Sequence, residues 1–201
     1  MYTPHQFQFT NREEMVAFMK QYSFATIVTN KGNLPIATQL PFAVKYNAGE
    51  LLLTSHFAVA NEQAKYIAEN TSLVIFSEPH AYISPTHYDK IESVPTWDYI
   101  AVHAYGKAKI ITEENAVIGV LEQMIAFYEP AYRQQWNHLP DKFKQGMMNG
   151  IVAFEIEVVD LQGQKKLSQN KTEVEKQRII AHLEKSDNTV ENVIAKHIRE
   201  L

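Results

Sequence analysis

The sequence contains no cysteine, and only seven of its 201 residues are glycine. Without cysteine, a disulfide framework, a thiolate zinc site and a cysteine nucleophile are all excluded. Neither a G-x-G-x-x-G fingerprint nor a P-loop occurs among the scattered glycines. Because those motifs supply the glycine-rich turns that hold phosphate groups, their absence argues against a Rossmann domain and against a P-loop nucleotide site.

Long apolar runs are also missing. No stretch of the chain approaches the roughly 18 apolar residues of a membrane-spanning helix. The segment from Met1 to Gln6 does not show a basic region followed by an apolar run, which is the pattern of a signal peptide. We therefore expect no signal peptide, no membrane span and a cytoplasmic location.

Positively charged residues are fewer than negatively charged ones. The chain has 19 Lys and Arg residues against 23 Asp and Glu residues, which gives a net charge of −4. Its longest basic run is Lys165-Lys166. Since neutralisation of phosphates drives the affinity of proteins for DNA, we expect any DNA contact to be weak and steeply salt-dependent, unless a dimer assembles a basic patch.

Patterns of catalytic and metal-binding residues are absent as well. Ser84 lies between Ile83 and Pro85, so no G-x-S-x-G nucleophile elbow is present. The histidines show neither H-x-x-x-H nor H-E-x-x-H spacing. We therefore assign no catalytic residue and no metal site, and expect neutral, hydrogen-bonded histidines, with a haem ligand as an alternative role for one of them. The histidines considered are His56, His80, His87 and His103.

What is present is an ordinary globular composition, with 45% hydrophobic and 21% charged residues. About six β-rich segments follow one another and are joined mostly by tight turns, which predicts a mainly β fold, an antiparallel and nearly closed barrel with flanking helices. The predicted strands cover 24–29, 36–44, 51–55, 71–77 with a resumption at 80–84, 97–111 and 151–159. Pro35 and Pro41 indicate an edge or a bulge in the second strand, because proline cannot donate to the ladder.

Helical patterns flank these strands. The predicted helices cover about 11–21 with Thr10 as N-cap, 60–68, a segment capped by Thr112, parts of 131–149, and a tail with a cap signal at Asn188. We expect one barrel domain over residues 1–170. Residues 171–201 are expected to form a helical extension that packs on the barrel or on a partner subunit.

Two segments are candidates for ligand binding. Residues 54–61 suggest strand, turn and helix start, an arrangement that can hold a phosphate, but Ser55 or Asn61 can equally be an ordinary helix cap. The segment from Pro79 to Tyr105 is rich in His, Tyr and Trp. Such rings can line a flat ligand such as a flavin, or they can form the barrel core or a dimer interface.

Six motifs occur in an order that is characteristic in combination. They are P-I-A-T-Q-L-P at 35–41, S-H-F-A…N from 55 to 61, P-H-A-Y-I-S-P at 79–85, V-P-T-W-D-Y at 94–99, A-V-H…G from 101 to 106, and K-L-S-Q-N at 166–170. With these motifs the chain resembles the PaiB-type FMN-binding negative transcriptional regulators. The resemblance runs from the first residues to at least Asn170, and the tail follows it loosely.

The resemblance implies an FMN-binding split β-barrel with Greek-key-like antiparallel strands, similar to the pyridoxamine-phosphate-oxidase-like flavoproteins. It also implies a homodimer with FMN at the subunit interface and a role as a negative transcriptional regulator. The cofactor-binding residues it implies are Thr38, Gln39 and Leu40 along the flavin, Ser55 and His56 at the ring and ribityl chain, Asn61 near the phosphate, and Trp97, His103, Lys166, Ser168, Gln169 and Asn170 closing the pocket.

The chain departs from the family's pattern at four positions, which are Glu62, Ala64, His87 and Asp98. The family commonly has Pro, Trp, Trp and Asn there. Two further functions stay open at this stage. One is a flavin-dependent oxidoreductase, in which His103, Tyr105 and Lys166 contact a substrate. The other is a non-flavin or haem-binding dimeric module.

Overall fold

The computed structural model describes the whole chain, residues 1–201. Its strands are β1 (Gln8–Phe9), β2 (Phe24–Lys31), β3 (Leu34–Pro41), β4 (Ala43–Asn47), β5 (Glu50–Ala58), β6 (Thr71–Ile83), β7 (Thr96–Ile111) and β8 (Ile151–Lys166). Its helices are α1 (Arg12–Gln21), α2 (Glu114–Tyr128), α3 (Tyr132–His138), α4 (Asp141–Asn149), α5 (Glu173–Leu183) and α6 (Thr189–Arg199). Short 3-10 turns cover His5–Phe7, Glu62–Lys65 and Pro85–His87.

The strands form one eight-stranded sheet in the order β3-β2-β6-β7-β8-β5-β4, with β1 added to β8. The pairs β2–β3, β2–β6, β4–β5, β5–β8 and β1–β8 are antiparallel. This architecture confirms the predicted mainly β, antiparallel fold with flanking and C-terminal helices. The number of strands is eight and not about six, because β1 was not expected and the segment predicted as one strand over 36–44 is divided into β3 and β4.

That segment connects the two ends of the strand order. β3 and β4 stand at opposite ends of the strand order, although only Phe42 separates them in the chain. The backbone N–H of Phe42 donates to the carbonyl of Ser23 at 2.9 Å, and Tyr128 Oη donates to the Phe42 carbonyl at 3.1 Å. The side chain of Phe42 is fully buried. The chain therefore passes from one edge of the sheet to the other at a single anchored residue.

The chain divides into two compact units, which are described separately. The first unit contains residues 1–15, 77–102 and 162–201. Its helices α5 and α6 bury the apolar side chains Ile179, Ile180, Leu183, Ile194 and Ile198. In its short strand pair, Gly163 lies opposite Phe9, and a Cβ on Gly163 would stand only 2.6 Å from the Phe9 carbonyl oxygen. Glycine is therefore required for this close approach.

The second unit contains residues 16–76 and 103–161. Its core holds four fully buried phenylalanines, Phe42, Phe57, Phe76 and Phe154. The rings of Phe57 and Phe154 are stacked with centroids 4.9 Å apart, and those of Phe42 and Phe76 meet edge to face at 6.0 Å. Burial of each ring contributes up to about 3 kcal/mol to folding. This aromatic core fixes the strands on which several of the predicted site residues lie.

Several predicted helix boundaries were wrong. Helix α1 is capped by Asn11 and not by Thr10, since Asn11 Oδ1 accepts from the backbone N–H groups of Glu13 and Glu14 at 3.1 and 3.2 Å. Helix α2 is capped by Glu113 and not by Thr112. The expected helix over 60–68 is only the 3-10 turn Glu62–Lys65. In helices α1 and α2 a neighbouring side chain satisfies the free N–H groups better than the residue that the pattern favoured.

No helix of the structure combines the length and the apolar character needed to cross a membrane.

Candidate functional site

The predicted cofactor-binding residues fall into two groups, one in each unit. The second unit holds Thr38, Gln39, Leu40, Ser55, His56, Asn61 and His103. The first unit holds Trp97, Lys166, Ser168, Gln169 and Asn170.

In the second unit, a hydrogen-bond network joins Asn61, Thr38 and Gln63. Thr38 Oγ1 donates to Gln63 Oε1 at 2.7 Å, and Asn61 Nδ2 donates to Thr38 Oγ1 at 3.0 Å. Gln63, which is buried, donates from Nε2 to Thr29 Oγ1 at 3.0 Å and to the Ile27 carbonyl at 3.2 Å. The structure thus brings two predicted residues together. Gln63 was missed, since the motifs that carry the resemblance end at Asn61 and resume at Pro79.

Asn61 also caps the turn that follows it. Its Oδ1 accepts from the backbone N–H of Gln63 at 3.0 Å. The segment after Asn61 is a single 3-10 turn, so the helix N-terminus considered as a phosphate site is not formed. Asn61 is therefore an ordinary cap of this turn, which was the alternative interpretation. Because Nδ2 carries two hydrogens and one goes to Thr38, Asn61 keeps a second N–H for a ligand.

Glu62, the acidic residue beside Asn61, is paired. Its carboxylate lies 2.7 Å from Lys31 Nζ. The hydrogen bond and the positive charge of Lys31 lower the pKa of Glu62, and the same contact raises the pKa of Lys31. The negative charge of this departure from the family pattern is therefore matched locally by a cation.

The remaining residues of strands β3 and β5 divide between the faces of the sheet. Thr38 and Leu40 share one face of β3, whereas Gln39 points to the other, because side chains alternate along a strand. Ser55 is fully buried, and its hydroxyl donates to the Pro41 carbonyl at 2.7 Å. His56, the next residue, points to the opposite face. The hydroxyl of Ser55 thus ties β5 to the end of β3.

His56 and His103 are half-buried, and each has a buried Nδ1 without a hydrogen-bond partner. Burial lowers the pKa of both imidazoles, which favours the neutral ring at neutral pH. The ring of His103 lies edge-on to that of Tyr105, with centroids 6.5 Å apart. A neutral ring with one unpaired nitrogen can still donate or accept one hydrogen bond, so both residues are suited to a polar ligand.

In the first unit, Trp97 is 53% exposed and lies on an aromatic patch, defined here as His80, Tyr82 and Trp97. The centroid of the Trp97 ring is 5.9 Å from those of both His80 and Tyr82. This part of the segment Pro79–Tyr105 is therefore a surface and not barrel core. Of the interpretations given above, it is compatible with a flat ligand and with a dimer interface.

The segment 166–170 is fastened by its own side chains. Lys166 Nζ donates to the Trp97 carbonyl at 2.8 Å and also to Thr96 Oγ1. Gln169 Oε1 accepts from the Leu167 N–H at 2.8 Å, and Gln169 Nε2 donates to the Lys165 carbonyl at 2.6 Å. The side chain of Gln169 therefore holds the turn, while Asn170 is exposed.

Asp98 is fully buried and was not among the predicted site residues. Ser168 Oγ donates to Asp98 Oδ2 at 2.6 Å, whereas Asp98 Oδ1 has no hydrogen-bond partner. Burial raises the pKa of Asp98 to about 6, although the hydrogen bond from Ser168 and the charges of Lys166 and Lys171 oppose this rise. The sequence does contain a signal for this residue: Asp98 replaces the asparagine that is common at this position, within a motif that otherwise matches the family.

His87, another departure, packs against helix α5. Its ring centroid is 4.8 Å from that of His182, and its carbonyl accepts from Arg178 at 3.2 Å. Burial lowers the pKa of His87, and the charges of His182 and Arg178 lower it further. The structure contains no group of three or more His, Asp or Glu side chains arranged to hold a metal ion.

Comparison with known proteins identifies the family to which this chain is similar. The family model described as "Putative FMN-binding domain" matches residues 1–160. The chain is 40% identical over 192 residues to "Protease synthase and sporulation protein PAI 2" of Bacillus subtilis (strain 168), covering 94% of this chain and 91% of that protein. It is 25% identical over 206 residues to an uncharacterized protein of Emericella nidulans, covering 84% and 80%.

Solved structures share the fold. The flavocytochrome Anf3 from Azotobacter vinelandii aligns with a TM-score of 0.64 at 13% identity, over 81% of this chain and 70% of that chain. The FAD and heme binding protein from Mycobacterium smegmatis aligns with a TM-score of 0.61 at 15% identity, over 79% and 73%. At such low identity these similarities establish the fold alone.

Proposed function

Because the chain belongs to the family of FMN-binding domains, whose model matches residues 1–160, we propose that it acts in the cytoplasm as an FMN-binding homodimer that represses transcription. FMN is the cofactor of this family, in agreement with the flavin expected from the sequence. The relative from Bacillus subtilis carries the words "sporulation protein" in its name, which is in keeping with a regulatory role.

The residues of the second unit fit a flavin. The observation that carries the proposal is the pair of buried imidazole nitrogens, Nδ1 of His56 and Nδ1 of His103, that lack partners. Buried polar atoms are rarely left unpaired, so a ligand or a partner subunit is expected to supply the missing hydrogen bonds. The oxygen and nitrogen atoms of the isoalloxazine edge and the hydroxyls of the ribityl chain have the required chemistry.

Each predicted residue then has a role that its surroundings permit. Asn61, held by Thr38 and Gln63, offers its second N–H to the ligand. The hydroxyls of Ser55 and Ser168 and the amide of Gln169 are already bonded within the chain, so they position the backbone. Gln39, Leu40 and Trp97 have free surface for direct contact. The ammonium group of Lys166 already donates to the Trp97 carbonyl and to Thr96 Oγ1, so Lys166 positions Trp97.

When bound, FMN supplies redox chemistry at its ring system, and the protein sets the orientation and the electrostatic surroundings of that ring. His56 and His103, being neutral, add no charge beside a bound flavin. The half-exposed Trp97 offers an aromatic face that excludes water from one side of a flat ligand.

The dimer and the regulatory role belong to the same proposal. The aromatic patch suits a subunit interface, since aromatic residues are enriched there. The helical extension 171–201 is proposed to pack on the barrel or on the partner subunit. With a net charge of −4, the chain is expected to act on transcription through a partner or through DNA contacts that weaken steeply with salt.

A direct test is to titrate the purified protein with FMN and follow quenching of the flavin fluorescence. We expect His56→Leu and His103→Leu each to weaken FMN binding by about tenfold, the value of one hydrogen bond. His138→Leu is the matched control, because His138 is exposed and its Nδ1 is already bonded to the Gln134 carbonyl at 2.7 Å. A colourless protein that takes up no FMN would refute the cofactor proposal.

The other parts are tested separately. Light scattering after size exclusion gives the mass, and a monomer in the presence of FMN would refute the dimer. Gel-shift titrations at two salt concentrations measure DNA contact. A second candidate function, a flavin-dependent oxidoreductase, is favoured only by the half-buried His103 beside Tyr105. Reduction of bound FMN by NADH or NADPH would support it, and an inert flavin would leave the binding role.

A further inference from the structure

A cavity of about 240 Å³ lies within the first unit, outside the cluster formed by Thr38, Asn61 and Gln63. Its wall includes Tyr88, Thr96, Asp98, Lys166, Ser168 and Lys171. Pockets for cofactors and drug-sized molecules measure roughly 300–1,000 Å³. The cavity is therefore too small for a flavin and has the size for a metabolite of a few carbon atoms.

Two buried side chains in this wall each have an oxygen atom without a hydrogen-bond partner. Asp98 is fully buried and Tyr88 is 8% exposed. Asp98 Oδ1 and the Tyr88 hydroxyl have no partner, whereas the other oxygen of Asp98 is held by Ser168. Unpaired buried polar atoms destabilise a protein, and a ligand that reaches them relieves that cost. An ionised Asp98 requires a hydrogen-bond donor.

Two lysines balance this carboxylate. Lys171 Nζ lies 3.5 Å from the centroid of the Tyr88 ring. Lys166 Nζ is held by the Trp97 carbonyl and Thr96 Oγ1. With two ammonium groups and one carboxylate, the wall carries a formal charge of +1 when Asp98 is ionised, which favours an anionic group on the ligand. A phosphate without a donor would leave Asp98 Oδ1 unpaired and be repelled by it.

We infer that this cavity binds a small carboxylate that carries a hydroxyl or an ammonium group on the neighbouring carbon. The carboxylate faces Lys166 and Lys171, and the hydroxyl or ammonium group donates to Asp98 Oδ1. Asp98 thereby favours ligands that carry a hydrogen-bond donor, and the two lysines favour ligands that carry a carboxylate. Asparagine, which the related motif commonly has at this position, would offer either a carbonyl or an amide and would lose that selection.

The test uses three probes of similar size in calorimetric titrations of the full chain. Lactate carries a hydroxyl, alanine carries an ammonium group, and propionate carries neither. We expect lactate or alanine to bind at least about tenfold more tightly than propionate, the value of a hydrogen bond to a charged acceptor. The titrations are made both without FMN and with saturating FMN, and the preference is expected to be the same in both.

Variants then assign the selection to residues. Asp98→Asn is expected to bring the preference for lactate or alanine over propionate close to one. Lys171→Gln is expected to weaken all three probes together. Asp187→Asn, which removes an exposed carboxylate, is the control and is expected to leave all affinities unchanged.

Three results would overturn the inference, and the wild-type protein alone can give each of them. Equal binding of propionate would show that Asp98 does not select a donor. Loss of probe binding on addition of FMN would assign the cavity to the flavin site. Absence of binding by all three probes would leave a cavity filled only by water.

Discussion

Replacing Asp98 with asparagine is expected to change the free energy of unfolding relative to the wild type by an amount that depends on pH. The change favours the variant more at neutral pH than at acidic pH. The folded state raises the pKa of Asp98 from its ordinary value of 3.8 to about 6, chiefly through burial. Between these two values the folded state binds more protons than the unfolded state, so stability falls as the pH rises. The asparagine side chain cannot ionise, so this loss disappears in the variant.

The size of the effect follows from the same numbers. A difference of about 2.2 pH units, at about 1.4 kcal/mol per unit, corresponds to about 3 kcal/mol lost above pH 6. Roughly 0.5 kcal/mol of this is already lost at pH 4, where the unfolded chain has begun to ionise. The free energy of unfolding of Asp98→Asn minus that of the wild type should therefore rise by about 2.5 kcal/mol between pH 4 and pH 8.

Urea unfolding followed by circular dichroism at a series of pH values measures this difference. A constant offset from loss of the Ser168 hydrogen bond does not matter, because only the change with pH is compared. Asp187→Asn, which makes the same chemical change at an exposed position, is measured at the same pH values as the control. If the Asp98→Asn difference is flat between pH 4 and pH 8, burial does not govern the ionisation of Asp98.

Other substitutions test the packing and the caps. Gly106→Ala should cost more than about 3 kcal/mol in urea unfolding, because its Cβ would lie 2.2 Å from the Glu157 carbonyl oxygen. Gly119→Ala, in helix α2 with nothing within 4 Å, should gain up to about 1 kcal/mol, and equal losses at the two glycines would contradict the packing. Gln63→Leu should cost about 2–3 kcal/mol, because it leaves buried partners unsatisfied, and a neutral thermal melt would argue against the network. Thr172→Ala should cost about 1 kcal/mol by removing the capping box of helix α5, unless an unchanged melting temperature shows that the cap is dispensable.

The sequence predicted well those strands in which apolar and polar residues clearly alternate. The pattern over 97–111 corresponds to β7, Thr96–Ile111, because one face of that strand is buried and the other is not. Pro41 indicated an edge or a bulge in this strand, but the apolar run of Pro41, Phe42 and Ala43 did not predict that the chain changes sheet edge at Phe42. What divides them is a pair of distant anchors, the carbonyl of Ser23 and the hydroxyl of Tyr128. Contacts between residues so far apart in sequence leave no local pattern.

The candidate site was predicted in outline only. The family motifs pointed to Thr38 and Asn61, which the structure joins by a direct hydrogen bond. The motifs did not single out Gln63, which accepts from Thr38. Asp98 was seen as an unusual residue, but its complete burial was not expected, because aspartate is almost never fully buried without a partner. The unpaired atoms of Tyr88 and Asp98 depend on packing around them, and no spacing rule encodes such packing.

The pairing of β5 with β8 has a consequence for how the chain reaches this structure. It places Leu52 opposite Glu157 and Phe57 opposite Val152. Strands β5 and β8 can therefore pair only after the chain of about 100 residues between them has been synthesised and its ends have been brought together. Closing loops of this length costs entropy before any contact is gained, and folds dominated by distant strand pairs complete their folding in roughly milliseconds to seconds. Until β8 arrives, β5 has β4 on one side and an open hydrogen-bonding edge on the other, so the newly made chain is most exposed to aggregation in that interval.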